Sequence, residues 1–244
     1  MRSLLIKELN QFFSSLTGYI AILVFLVVTA LFIFVFPGNL NVFDFGFADL
    51  TPFFEFAPLV LLFLIPAITM RSFAEERNTG TLELLVTKPI SDWGIVGGKY
   101  VASLILLLFS LLPTVLYVYT ISRLADPVGA IDTGSIIGSY IGLLLLGSVF
   151  LSIGLLASAL TSNQIVAFIL GLFLCFMAFY AFDFVSRIAA FEGDLDYYIR
   201  QIGVNEHYQS ISRGVLDTRD LIYFLTVNGL FLAAAKTALE SRKW

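Results

Sequence analysis

The chain has 244 residues, of which 59% are hydrophobic and 13% are charged, and its net charge is -4. A soluble globular domain is about 45–50% apolar and about 25% charged. This composition leaves too little polar surface to cover a soluble core, so it excludes soluble enzymes and nucleic-acid-binding modules. The length instead allows about six membrane crossings joined by short connections.

Six segments are apolar and long enough to cross a bilayer, since about 20 helical residues span ~30 Å of hydrocarbon. Pro58 and Pro66 predict a kinked second span. The uncharged stretch 133–182 is too long for one span, and its polar patch 161–164 divides it into two. The fold class is therefore an all-α polytopic membrane protein with six transmembrane helices, predicted at 19–36, 52–70, 100–122, 134–160, 165–182 and 221–239.

The distribution of charge orients these spans. The N-terminus, the loop 71–99, the turn between spans four and five and the C-terminus together hold nine of the 14 Lys and Arg residues and six of the 18 acidic ones. This side therefore carries a net charge of +3, and the other side carries -7. Because the positive side of a membrane protein faces the cytoplasm, both termini are predicted to be cytoplasmic.

Two segments outside the spans are predicted to be amphipathic helices. Residues 1–17 repeat apolar side chains at three-to-four spacing, which predicts an interfacial helix before span one that is either an anchor or a lever on that span. Residues 184–219 predict short extracytoplasmic helices, which form either a plain rim or a gate over a pathway. Their inward-facing or gating candidates are Leu195, Tyr198, Ile199, Tyr208 and Ile211.

The sequence shows no catalytic or metal-binding motif. The single cysteine, Cys175, lies in an apolar run and is interpreted as a small buried hydrophobe. The single histidine, His207, has no second His or Cys beside it and is expected at the surface. No ionisable residue lies at the centre of a span, as a proton pump or intramembrane protease would require. We therefore expect no bound cofactor or metal and no enzymatic activity in this chain, so a partner must supply the energy for any work.

The loop 71–99 is predicted to form a compact knob between spans two and three. Residues 78–80 interrupt a helix that continues from span two, and a short amphipathic helix follows with Leu82 and Leu85 on one face. Pro89 stops this helix, and Ser91 can cap the next one, which continues into span three. Because such a knob is tied to two spans, it can transmit a push to both.

The loop also resembles the signature loop of ABC-2 type transporter permeases in the strings Glu75-Glu76-Arg77, Gly80-Thr81-Leu82-Glu83-Leu84-Leu85, Pro89-x-Ser91 and Gly98-Lys99. The amphipathic N-terminus, the six spans and the long outer segment fit the same family. Two further strings, 155–164 and 207–217, are similar to the branch that contains the gliding-associated permease of Bacteroidota and the nitrous-oxide-reductase maturation permease. Between these two, the gliding-associated member is favoured.

The resemblance implies a subunit of the bacterial inner membrane that pairs with a second copy or a related permease. It further implies two cytosolic ATPase subunits, which bind ATP and Mg²⁺, and an auxiliary membrane subunit with a large extracytoplasmic part. The outer helices would act as an exit gate. The residues expected to contact the ATPase are Glu75, Glu76, Arg77, Gly80, Thr81, Leu82, Glu83, Leu85 and Pro89.

Three alternatives remain open at this point. A non-transporting scaffold or mechanical subunit of a surface machine would use the same knob. A permease of a copper-centre maturation system would share the same branch. A polytopic membrane enzyme would need paired polar groups near one membrane face, and the sequence clusters none there outside the outer rim.

Overall fold

The computed structural model describes residues 2–81, 91–188 and 194–241. These residues form helices joined by turns, and no strand occurs among them. Five helical segments are long and apolar enough to cross a membrane: Thr51–Asn78, Asp92–Leu124, Thr133–Leu160, Gln164–Ser186 and Thr218–Glu240. A helix pair at the N-terminus, bent by 65°, raises the number to as many as six. The all-α polytopic class is confirmed.

The first half of the chain contains seven of the helices in the described residues. The bent pair is α1 (Arg2–Phe13) and α2 (Leu16–Phe34), and a short α3 (Val42–Phe45) follows. The next span is α4 (Thr51–Thr69), with Pro58 and Pro66 inside it, and a turn connects it to α5 (Ala74–Asn78). The third span is α6 (Asp92–Leu111) and α7 (Val115–Leu124), separated at Pro113 by the 3-10 turn Leu112–Thr114.

The second half begins with α8 (Thr133–Leu160), the longest unbroken helix described. The fifth span comprises α9 (Gln164–Phe176), a π-helical turn (Met177–Ala181) and α10 (Phe182–Ser186). Two short helices follow, α11 (Asp194–Ile202) and α12 (Val204–Ser212), as predicted for the outer segment. The last span is α13 (Thr218–Glu240).

Side-chain caps fix where several of these helices begin. Ser91 Oγ accepts a hydrogen bond from the Gly94 amide, so α6 begins at Asp92 as predicted and continues into span three. Asp132, Asn163 and Asp217 cap α8, α9 and α13 in the same way. An oxygen at this position satisfies amides that have no partner inside the helix.

The central element is α8, which packs on α4, α6, α9, α12 and α13. The most apolar stretch of α8 is 78% buried, whereas that of α13 is 17% buried. The exposed side chains of α13 are therefore available to contact lipid or another protein. Small residues allow this crowding: a Cβ on Gly147 would lie 2.5 Å from Leu107 Cδ2, and a Cβ on Gly154 would overlap the Thr69 hydroxyl. Small residues let membrane helices approach closely, so that dispersion contacts and hydrogen bonds can hold them.

The bundle has two ends, called here the loop end and the rim end. The loop end contains α1, α5, the N-terminus of α6 and the turn 161–163, with Asn78 and Ser162 bordering one cleft. The rim end contains α3, α11 and α12. This arrangement places residues 71–81 and 91–99 at one end of the spans and residues 184–188 and 194–219 at the other.

Candidate functional site

Four charged residues meet at the loop end and form a network, here called the loop-end cluster, that is largely buried except at Lys7: Lys7, Glu8, Glu76 and Lys99. The Lys99 ammonium donates to Glu8 Oε1 at 2.7 Å and to the Ser72 carbonyl at 2.6 Å, and it lies 3.0 Å from Glu76 Oε2. Lys7 Nζ donates to the other oxygen of Glu76 at 2.7 Å. The cluster therefore joins α1, the turn before α5, α5 itself and α6.

The electrostatics of this cluster follow from its burial. The Lys99 side chain is 1% exposed and that of Glu76 is 7% exposed, so their charges are compensated by each other and by Glu8 and Lys7 rather than by water. Lys7 is more exposed. Partial burial disfavours its charged form, but the hydrogen bond and negative charge of Glu76, with a contribution from Glu8, outweigh this effect and raise the pKa of Lys7 above its ordinary value.

A second connection reaches the same turn from the central helix. The Ser158 hydroxyl on α8 accepts the Phe73 and Ala74 amides at 3.0 and 3.1 Å and donates to the Met70 carbonyl at 3.0 Å. These backbone groups lie in the turn between α4 and α5, where helical bonding is interrupted. One side chain of α8 therefore satisfies three of the backbone groups that the turn leaves open.

The N-terminal helix lies directly against α6 at this end. A Cβ on Gly98 would approach Leu4 Cδ2 to 3.0 Å, and Leu4 is 4% exposed. Leu4 belongs to a small apolar cluster with Phe73, Ile95 and Leu155. The amphipathic α1 thus packs on the bundle through its apolar face and is held by its charged residues as well.

The structure separates the predicted ATPase contacts into three groups. Glu76 faces inward and belongs to the loop-end cluster, while Glu75 and Arg77 are half-buried. Gly80 and Thr81 are exposed, and Gly80 has a φ of 71°, the left-handed conformation that favours glycine where the helix ends. The remaining contacts, Leu82, Glu83, Leu85 and Pro89, lie outside the described residues.

At the rim end, the predicted gate residues do not converge on one point. Tyr208 is 4% exposed and its hydroxyl donates to the Phe54 carbonyl at 2.6 Å, while Ile211 is fully buried. Both face inward as expected, against Gly142 of α8. Tyr198, in contrast, is 64% exposed, and Ile199 is half-buried. The side chain of Leu195 lies outside the described part of the chain.

The expectation that His207 lies at the surface is wrong. His207 is 8% exposed, and its Nδ1 lies 2.6 Å from Asp220 Oδ1 while Nε2 lies 2.9 Å from the Gln201 carbonyl. The His207 ring also stacks on the Tyr223 ring, and the centres of the two rings are 3.8 Å apart. Because a carbonyl only accepts, Nε2 must be the donor to Gln201. His207 therefore joins α11 to the start of α13, a role that only the packing of three rim helices creates.

A cavity of about 580 Å³ opens beside these rim helices. It is bordered by residues of α4, α8 and α12 and by residues 179–187, among them Glu55, Tyr208 and Arg213. In the described ranges, no group of three or more His, Cys, Asp or Glu residues could hold a metal ion. Cys175 is fully buried, as interpreted from the sequence.

From the sequence we did not predict that Lys99 and Glu8 form a buried ion pair or that Ser158 binds the turn before α5. Lys99 occurs in the string Gly98-Lys99 that resembles the permease family, and it is a lone charge beside an apolar run. That isolation is a signal for a buried, paired lysine. Ser158 carries no comparable signal, because a serine in an apolar helix is common and its partners are backbone groups.

The comparison with known proteins bears on the middle two thirds of the chain. Residues 45–212 match the family described as ABC-2 family transporter protein, and this stretch extends from α3 to the end of α12. It covers more than half of the chain and includes the loop 71–99 and the Ser158 contacts. No curated protein matches the sequence. The chain therefore belongs to the ABC-2 family of transporter proteins and is a multi-pass membrane subunit whose family implies an ABC ATPase as partner.

Proposed function

We propose that this chain is the permease subunit of an exporter or envelope machine and that it receives force at its loop end from a separate cytosolic ATPase. In this proposal, the segment 71–99 is the docking element, the ATPase binds ATP and Mg²⁺, and both termini lie in the cytoplasm of a bacterial inner-membrane protein. The net charge of +3 on this side supports the orientation.

The observation that carries the proposal is the pair of rigid connections behind the docking segment. The loop-end cluster joins α5 to α1 and α6, and Ser158 joins the turn before α5 to α8. A displacement of α5 therefore has to move α1, α6 and α8 together or break buried polar contacts. Coupling between distant sites is carried by packed side chains and hydrogen-bond networks that switch between two discrete arrangements. The contacts behind α5 are a network of this kind.

Crosslinking tests the docking directly. Thr81→Cys places a thiol at an exposed position within the docking segment, and Val215→Cys places a matched thiol at the rim end, where Val215 is 63% exposed. Cys175 is fully buried and serves as the internal background. In inverted membrane vesicles that contain the chain and its ATPase, we expect the Thr81→Cys protein to crosslink to the ATPase and the Val215→Cys protein to form no crosslink. The reverse pattern would contradict the proposal.

Coupling requires a second measurement. Glu83→Lys reverses a charge in the docking segment, so we expect normal insertion but loss of ATPase stimulation in proteoliposomes. Glu240→Lys is the control, because Glu240 belongs to a partly exposed pair with Lys236 at the end of α13, outside the docking segment. Wild-type stimulation of the Glu83→Lys protein would place the docking surface elsewhere.

For the biological output, we propose the gliding-associated branch, with a second copy or related permease and an auxiliary subunit as partners. The strings that support this branch, 155–164 and 207–217, contain Ser158 and His207, which hold the two ends of the bundle. The rim helices then act at the exit. Vesicle transport would support export, and ATP-dependent rearrangement of co-purified envelope proteins without transport would support a mechanical subunit. Co-purification with copper-centre maturation proteins would instead favour the maturation branch.

A further inference from the structure

A cleft lies at the bend between α1 and α2, here called the elbow cleft. Its volume is about 250 Å³, and it is bordered by α1, the start of α2, the end of α4 and α6. Polar residues line the side nearest the loop end, among them Gln11, Arg71 and Glu75. Apolar residues one or two turns further along the spans, such as Ala21 and Leu106, line the rest. The lining therefore changes from polar to apolar along the direction of the spans.

Two charged groups of opposite sign in this cleft are incompletely satisfied. Arg71 Nε and Glu75 Oε2 are both enclosed, and neither has a hydrogen-bond partner within the described chain. The remaining contact of the guanidinium is long, 3.4 Å from Arg71 Nη1 to Ser15 Oγ. Burying polar atoms of charged groups without partners is costly, so this pair indicates a missing ligand.

The other carboxylates of the cleft do not need such a ligand. Glu8 and Glu76 also border it. Glu76 Oε2 makes no hydrogen bond either, but its charge is compensated by Lys99 at 3.0 Å and by Lys7 at the other oxygen, and Glu8 is bound to Lys99. The charge left to be matched is therefore one guanidinium and one carboxylate. A ligand that matches both must carry an acceptor with negative charge and an N–H donor with positive charge.

The location of the cleft identifies the source of the ligand. Leu16, Tyr19 and Ile20 at the start of α2 are 50–76% exposed, which places apolar side chains of this bend against the surrounding membrane. The bent, amphipathic α1 is typical of a helix that lies in the interface. A lipid headgroup at this depth can reach the polar side of the cleft while its acyl chain follows the apolar side.

We propose that the elbow cleft binds one phosphoethanolamine lipid. Its phosphate pairs with the guanidinium of Arg71, its primary ammonium pairs with the carboxylate of Glu75, and one acyl chain lies along the apolar wall. A choline headgroup has no N–H to donate, and a glycerol headgroup has no positive charge for Glu75. This lipid bridges the α1–α2 bend to the turn before α5, so it is a structural component of the junction and is distinct from any transported cargo.

Lipid retention tests this proposal on the purified full-length chain. Phosphatidylethanolamine, phosphatidylcholine and phosphatidylglycerol with identical acyl chains are titrated in detergent, and bound lipid is measured by native mass spectrometry. We expect phosphatidylethanolamine to bind at least about tenfold more tightly than phosphatidylcholine, the ratio expected for one charge-assisted hydrogen bond. Equal binding of the three lipids would refute the site, and a preference for phosphatidylglycerol would identify a purely anionic site instead.

Variants separate the two contacts. Glu75→Gln is nearly isosteric, and we expect it to remove the preference for phosphatidylethanolamine while binding through the phosphate remains. Arg71→Gln should weaken the binding of all three lipids. Glu55→Gln and Arg213→Gln, which alter the rim-end cavity, are matched controls and should change neither result. An unaltered preference in folded Glu75→Gln protein would overturn the proposal. Because no ATPase is present, this outcome is independent of the docking proposal.

Discussion

The Lys99 ammonium lies 3.0 Å from Glu76 Oε2, and both side chains are almost completely buried at the loop end of the bundle. Each charge is shielded from bulk water, so its compensation comes from the charged side chains around it. The same lysine also reaches Glu8 and the Ser72 carbonyl. The junction between α1, α5 and α6 is therefore a polar joint inside an otherwise apolar bundle.

Removing the lysine should destabilise the protein strongly. Lys99→Met keeps the length of the side chain but leaves Glu8 and Glu76 buried with less compensation, and we expect a loss of about 3–5 kcal/mol in the free energy of unfolding. The measurement is thermal unfolding in detergent. Lys236→Met removes a partly exposed pair with Glu240 within one helix and should cost at most about 1 kcal/mol. Equal effects of the two changes would show that the cluster contributes no more than a surface pair.

The Ser158 contacts predict that replacing this serine destabilises the turn before α5. Ser152 of the same helix provides the control variant. Ser158→Ala leaves the Phe73 and Ala74 amides without their acceptor, and we expect a cost of about 2–4 kcal/mol and faster amide hydrogen exchange at these two residues. Ser152→Ala is the control, because the Ser152 hydroxyl bonds only to the Val149 carbonyl of its own helix. Unchanged exchange at Phe73 and Ala74 in the Ser158→Ala protein would contradict the assignment.

Close packing of α4 on α8 predicts that Gly154 does not tolerate a methyl group. Gly154→Ala would place Cβ against the Thr69 side chain, and overpacking of this kind costs about 1–3 kcal/mol. Gly229 of α13 has open space where its Cβ would be, so Gly229→Ala should be neutral or should stabilise that helix slightly. Thermal unfolding of both variants checks the difference, and a neutral Gly154→Ala would mean that the two helices can separate freely.

The buried histidine predicts a local effect at the rim end. His207→Ala removes the contacts with Asp220 and Gln201 and leaves Asp220 buried, so we expect faster hydrogen exchange in 201–220 without a change at Phe73 and Ala74. Glu206→Gln alters the exposed neighbour and is the control. Equal exchange in the two variants would show that His207 does not hold the rim helices together.

Much of the architecture follows from local features of the sequence. A long apolar run predicts a helix because backbone groups in a bilayer must be bonded within the segment itself. Ser91 and Asp217 predict helix starts because a cap acts on amides two or three residues away. These signals need no knowledge of the rest of the chain, and for this reason the all-α class, the inward faces of Tyr208 and Ile211 and the break at Gly80 could be predicted.

The sequence by itself determined which segments are apolar enough to lie in a membrane and which end of the bundle carries positive charge. Only the tertiary structure decided that Glu76 faces Lys99, that Ser158 holds the turn before α5 and that His207 is buried. The physical reason is distance along the chain: Lys99 is 91 residues from Glu8, and Lys7 is 69 residues from Glu76. Contacts of this kind depend on which helices become neighbours, and hydropathy does not encode that choice.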